Sequence, residues 1–436
     1  MTTSQFESRH SRMFLRVIAG LIVTVLSLTA FAPAVRAQSQ IGLLFPTGLP
    51  IRQNSGPSFM MGGSANGVSD DYNCMLRNPA NLGFIDKAVF SSLYTFDFTR
   101  ISQTGGHTNF IEGYPQQISI GLALGIIGAV GLSYNVENNP SSKFQPAQQS
   151  ALYDNSIVTY QPGLTVSGAT TVWQVGWGRE LPKLKLKMGL AYERVYFSSS
   201  QSIVRTITDV SSTTESRDST YVGLRTNGLR AGLMLPIGNF KMGLSGEYFF
   251  ADNLRKDNAI YSTSSDTISS RGGLVPVPLD QKKSSASMRL PPSLAAGLSY
   301  SINKEWLTAA DLSMTLWDMY YSHEVLADAR KSAALSVSAG AQYVPAPAVM
   351  APKYWETIHY GAGFRYAELP ADQSSEFAFS LGTGLPIGKN RGLLTLGAEA
   401  GRRTTGQYSG YSENFLRFAI GINGSRRWNK SSMGIY

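Results

Sequence analysis

"NFLRFAIGIN", residues 414–423, alternates without a break. Leu416, Phe418, Ile420 and Ile422 stand on one face, and Arg417, Ala419, Gly421 and Asn423 on the other. A two-residue period with one apolar face is the mark of a β-strand lying between two different media. The same period runs through "WETIHYGAGFRY", 355–366, where Ile358, Tyr360, Ala362, Phe364 and Tyr366 oppose Thr357, His359, Gly361, Gly363 and Arg365. It recurs in "LKLKMGLAYE", 184–193, where Leu184, Leu186, Met188, Leu190 and Tyr192 oppose Lys185, Lys187, Gly189 and Glu193. A soluble sandwich also alternates, but it rarely needs so many strands of ten or more residues. Transmembrane strands need about 9–11 residues each, and these segments fit.

Working outward, about fourteen such segments follow one another: 86–99, 115–125, 127–137, 168–181, 183–199, 219–236, 238–251, 287–301, 305–321, 333–345, 354–369, 373–388, 390–404 and 411–424. Tight links of one to three residues alternate with long polar connections at 138–167, 200–218, 252–286 and 322–332. Two connections fit this alternation less well: 346–353 is long for a turn and 370–372 short for a loop. Short periplasmic turns, long extracellular loops and an even strand number are the habit of outer-membrane barrels. "LPIG" recurs at 235–238 and 385–388, where Pro and Gly stop a strand and make a tight reversal. The Ser/Thr-rich stretches 198–220 and 262–271 read as solvated loops.

The composition agrees with an exported β-protein. The 436 residues include 43 glycines, 21 tyrosines and 20 phenylalanines, with only 15% charged residues. Mean hydropathy is −0.09, too polar for helical spans. Residues 1–37 carry Arg9, Arg12 and Arg16, an apolar run at 17–31 and small residues up to Ala37, the order of a secretory signal peptide cut after Ala37. The run is shorter than the ~20 residues of a spanning helix. Cleavage there removes four arginines and one glutamate and lowers the formal charge from +9 to +6. The remaining basic excess is dispersed, so nucleic acid is not a partner. Cys74 is the one cysteine, which excludes an internal disulfide framework.

Between the leader and the first strand lies "GGSANGVSDDYNCMLRNPANLG", 62–83. This run of small residues leading into Asn-Pro-Ala resembles the segment before the first barrel strand in the FadL-type long-chain fatty-acid transporter family. "RLPPSLAAGLSYSINKEWLTAADLSMTLWD", 289–318, is similar to that family's Leu-Pro-x-Ser strand, turn and Trp-ending strand. "LLTLGAEAGRRTTGQYSGYSENFLRFAIGINGSRRW", 393–428, resembles the closing hairpin of the Bacteroidetes branch. The resemblance implies an all-β transmembrane antiparallel barrel of about 14 strands, residues 86–436, with residues 38–85 folded into its lumen as a plug. Asn78, Pro79 and Ala80 would then hinge the chain from plug to wall. Pro79 fixes its own φ and steers Asn78 away from helix, while Gly62, Gly63 and Gly67 permit tight packing.

The resemblance also implies a function: passive uptake of hydrophobic small molecules such as long-chain fatty acids, by a Gram-negative outer-membrane protein. The partners implied are outer-membrane lipid, a hydrophobic small-molecule ligand and, during insertion, the barrel-assembly machinery around a monomer. The alternative is a non-transporting barrel that scaffolds or anchors a secretion or surface complex. No cofactor or metal is called for. His107, His323 and His359 have no Cys or carboxylate at ligand spacing, and His359 has no nucleophile motif nearby, so an enzyme is not expected. Lys185, Lys187, Glu193, Arg230, Glu247, Asp311, Arg365, Glu399 and Arg417 fall opposite apolar neighbours and are the candidate lumen-lining charges. Both signs are present, so a pairing network that braces the plug is favoured over a substrate ladder. Trp173, Trp177, Trp306, Trp317, Trp355 and Trp428 sit near strand ends, as an aromatic girdle does.

Overall fold

The computed structural model describes residues 49–50, 54–69, 74, 77–103, 106–139, 142–144, 149–153, 156–208, 213–263, 277–319, 321–322, 332–346, 353–370, 373–387, 392–406 and 411–426. The leader 1–37, His323 and Trp428 lie outside these residues. Fourteen wall strands follow in chain order. They are β1 Ala88–Gln103, β2 Gly106–Ala123, β3 Ala129–Asn139, β4 Ser156–Leu181, β5 Leu186–Thr208, β6 Thr213–Ile237 and β7 Phe240–Phe249. β8 Ser293–Ser301, β9 Trp306–Leu316, β10 Ala333–Tyr343, β11 His359–Glu368, β12 Ser375–Ile387, β13 Gly392–Thr404 and β14 Ser412–Arg426 complete the set. Each pairs antiparallel with the next, and β14 pairs with β1 from Arg426↔Ala88 to Ser412↔Ser102, so the sheet closes on itself. Closure removes the edges that lipid does not tolerate.

The two faces of each strand differ as the alternation demands. On β14, Leu416, Phe418 and Ile420 are 41, 42 and 44% exposed, while Phe415, Ala419 and Asn423 on the alternate face are buried. Exposed Leu, Phe and Ile on an outer wall are stable only against an apolar medium, which makes this face lipid-facing. Neighbouring aromatics reinforce it, as in the stacked pair Phe240–Tyr300 at 4.3 Å and the pair Trp306–Tyr343 at 4.6 Å.

Residues 54–69 and 77–84 run through the interior. α1, Gly56–Met60, is one short turn closed by a capping box between Ser55 and Ser58, and every residue in it is buried. A 3-10 turn, Pro79–Phe84, starts at Asn78, whose side chain accepts from Ala80 N at 3.0 Å. Both pack on inward-facing wall glycines. A Cβ on Gly363 would collide with the backbone of Met61 and Gly62, and one on Gly243 with the carbonyl of Asn66. Small residues on the inner face therefore let two backbones touch where a side chain would hold them apart.

Four expectations are corrected. Of the stretch 198–220, residues 198–208 and 213–220 are not a solvated loop but the paired ends of β5 and β6, out to Thr208↔Thr213. Beyond them, Asp252–Thr263 pairs with both β6 and Val277–Arg289, so much of 252–286 is a hairpin laid against the wall's extension. Ser and Thr there carry no apolar contrast, so the period is silent, yet β-branched residues pair well in strands. Residues 264–276 lie outside the described residues. Trp317 is no girdle residue, because it is buried in an interior apolar cluster. Lys185 does not line the lumen; it closes the β4–β5 turn in a left-handed conformation, φ 50°, and is exposed.

Candidate functional site: the barrel interior and its side opening

The inward-facing charges form three groups. Arg230, on β6, donates through Nε to Glu193 Oε1 at 2.6 Å and through Nη2 to Glu247 Oε2 at 2.8 Å, with Glu137 at 3.6 Å. Across the lumen, Arg417 binds Asp97 and Glu399 at 2.7 Å each. Arg365 binds Glu376 at 2.6 Å and Glu399 at 2.9 Å, and Arg403 binds Glu376 at 2.6 Å and Glu413 at 3.2 Å. The third group holds the interior segment. Asp311 Oδ2 accepts from Ala65 N at 2.7 Å and Asn66 N at 3.0 Å, and lies 3.4 Å from the guanidinium of Arg77. Burial pulls Arg77 below its ordinary value, and Asp311 opposes that pull.

Eight of the nine candidate charges thus face inward; Lys185 is the exception. Lys187 stands apart from the groups, at the foot of the lumen, where it donates to Gly83 O at 2.9 Å and Glu180 at 2.8 Å and lies 4.1 Å from the ring centroid of Phe84. Sequence reading missed Arg77, Asp97, Glu137, Glu376, Arg403 and Glu413. It also missed the neutral fasteners. Ser380 Oγ accepts from Gly62 N at 2.8 Å and donates to Met60 O at 3.0 Å. Ser299 Oγ donates to Gly67 O at 2.7 Å. Asn78 Nδ2 donates to Asn66 O at 3.1 Å and to Leu233 O at 3.2 Å, so the Asn78-Pro79-Ala80 corner is tied both to the interior segment and to the wall. A serine opposite apolar neighbours was visible in the alternation, but no local signal says which serine meets another backbone.

The lumen is not polar throughout. Above the Arg230 group, inward-facing Val172, Val195, Phe197, Leu224 and Phe249 join Leu254, Met288, Leu290 and Trp317 in one buried cluster. Beside it the wall parts. β2 and β3 pair only from Gln117↔Asn135 to Ala123↔Ala129, although β2 continues to Gly106 in register with β1. β3 meanwhile turns away through a bulge at Glu137, still paired with β4, and its freed edge takes Leu49 and Pro50 opposite Asn139 and Asn138. Among the described residues no other wall strand covers residues 106–116. The parting lies level with outward-facing Phe96, Phe98 and Ile111, within the apolar band. Val172, opposite Asn135 on β4, ties the apolar cluster to its foot.

Among the described residues, nothing in the interior has the arrangement of a reaction centre. His359 Nδ1 lies 2.7 Å from Gln342 Nε2, a structural contact. Among the described residues no group of three His, Cys, Asp or Glu could hold a metal ion.

A closed barrel of 14 antiparallel strands with a lipid-facing apolar wall is a transmembrane β-barrel of the outer-membrane type. Its shape is that of solved hydrocarbon channels. It matches a Pseudomonas aeruginosa FadL homologue at TM-score 0.58 and 13% identity, over 86% of this chain and 99% of that one. It matches the Pseudomonas putida toluene transporter TodX at 0.55 and 14%, over 87% and 100%, and the Ralstonia pickettii toluene transporter TbuX at 0.54 and 14%, over 86% and 98%. Identities this low establish the fold alone. The family profile called BamG matches residues 21–432, nearly the whole chain, and the protein belongs to that family. No curated protein matches it.

Proposed function

We propose that the protein is an outer-membrane channel for the passive uptake of hydrophobic small molecules, with residues 38–85 as its plug. One observation carries the reading: an apolar luminal cluster, Val172 to Trp317, adjoins a parting of the wall at membrane height. A molecule that enters from outside meets apolar side chains and leaves sideways into lipid, without crossing the charged and plugged half of the lumen. Non-helical backbone at membrane depth is stable where it lines such a passage. The hydrocarbon channels that share the fold support the same reading.

The test is protein-dependent uptake of toluene and decane in cells with and without the chain. Uptake is expected to fall on deletion, and to fall likewise when Phe197 and Leu224 are both changed to Asp in a barrel that still shows heat-modifiable migration. Unchanged uptake in both would remove the reading. A second reading, a scaffold or anchor for a surface complex, is favoured by the reach of β4, β5 and β6, which run 26, 23 and 25 residues. Roughly 9–11 span the membrane, so these strands offer a partner a paired sheet beyond the lipid. Loss of surface proteins with unchanged uptake would establish it.

A further inference from the structure

We infer that the side passage selects by charge: it admits uncharged and cationic hydrophobic molecules that carry hydrogen-bond donors, and excludes carboxylates. The inference rests on the uptake reading and names its substrate class. The polar foot of the passage is a continuous row on four neighbouring strands. Gln117 faces Asn135 across the last β2–β3 pair. Asn135 Nδ2 donates to Ser133 Oγ and to Gln174 Oε1, each at 3.1 Å. Gln174 Nε2 in turn donates to Glu193 Oε1 at 2.6 Å, the oxygen that also accepts from Arg230 Nε.

Every unpartnered atom in that row is an acceptor. Gln117 Oε1, Asn135 Oδ1 and Glu193 Oε2 are buried without a hydrogen-bond partner, on side chains that are themselves fully buried. Each amide nitrogen of the row already has an acceptor, that of Gln117 being Ser119 Oγ at 2.7 Å, so the atoms left without a partner take an N–H or an O–H. The charge points the same way. Glu193 and Glu247 share the single guanidinium of Arg230, with Glu137 on the bulge of β3 at 3.6 Å. A carboxylate passing here would be repelled and would leave every acceptor unmet, whereas an alcohol or ammonium meets both.

Three probes on one skeleton test this: radiolabelled benzyl alcohol, benzylamine and benzoate at neutral pH, with decanol, decylamine and decanoate as a second series. Protein-dependent uptake of the alcohol and amine should exceed that of the carboxylate by roughly tenfold or more, the effect of one uncompensated charge about 10 Å away at an effective dielectric constant near 20. Glu247→Gln and Glu193→Gln keep an acceptor for Arg230 and should narrow the gap several-fold. Heat-modifiable migration of each variant checks that the barrel has folded. Protein-dependent uptake of carboxylate equal to alcohol in the unaltered protein overturns the inference and leaves the uptake reading standing. Protein-dependent uptake of none of the six overturns both.

Discussion

Asp311 is buried on β9 and carries one charge, yet it meets two backbone N–H groups and the guanidinium of Arg77. Changing Asp311 to Ala leaves Arg77 buried without its counter-ion, a loss of about 3–5 kcal/mol for a broken buried pair. The loss falls on the attachment of residues 54–84 and not on the wall, whose ladders do not involve the side chain. The expected outcome is a barrel that still migrates heat-modifiably but whose N-terminal residues become protease-sensitive, with Asp311→Asn intermediate because it keeps an acceptor for Ala65 and Asn66. Wild-type protection in both variants would show that Asp311 does not hold the segment. Asp311 was identifiable from the alternation as inward-facing. Arg77 was not, because it sits in an aperiodic stretch where no face can be assigned.

At the scale of an element, the interior segment is shaped by the wall glycines it lies on. Gly363 approaches the backbone of Met61 and Gly62 so closely that Gly363→Val has no side-chain relocation available, and backbone must move. Cys74 reports that movement. It is buried with Leu82 and Ala129, and burial pushes its thiol up from 9.0 to about 12. At pH 8 the thiol is therefore protonated and shielded, and the unaltered barrel should resist a maleimide for hours. Gly363→Val should bring labelling within minutes, and equally slow labelling would mean that the wall, not the segment, gives way. The sign of the pH effect follows from the raised value. The folded protein keeps a thiol proton that the unfolded chain loses above about pH 9, so the stability from burying the thiol is present below pH 9 and declines between 9 and about 12.

For the whole molecule, the closing pair of strands begins at Ala88↔Arg426, after the interior segment has ended. Deleting residues 38–85 should accordingly leave a barrel that inserts and closes, with raised ion conductance through the emptied lumen. Unchanged conductance would mean that the apolar cluster and the extended hairpins seal the lumen unaided. By itself the sequence determined the strand number, the lipid-facing set and most of the inward charges, because each follows from a period of two read within one strand, as in Leu416 to Ile422. Only the tertiary structure decided how those faces are used. The Arg230 group joins β3, β5, β6 and β7, the Arg417 group joins β1, β11, β12, β13 and β14, and the parting of β2 from β3 is a failure of pairing between strands whose own alternation is unremarkable. Register around a closed barrel sets such meetings, and register is a relation between segments that no single segment encodes.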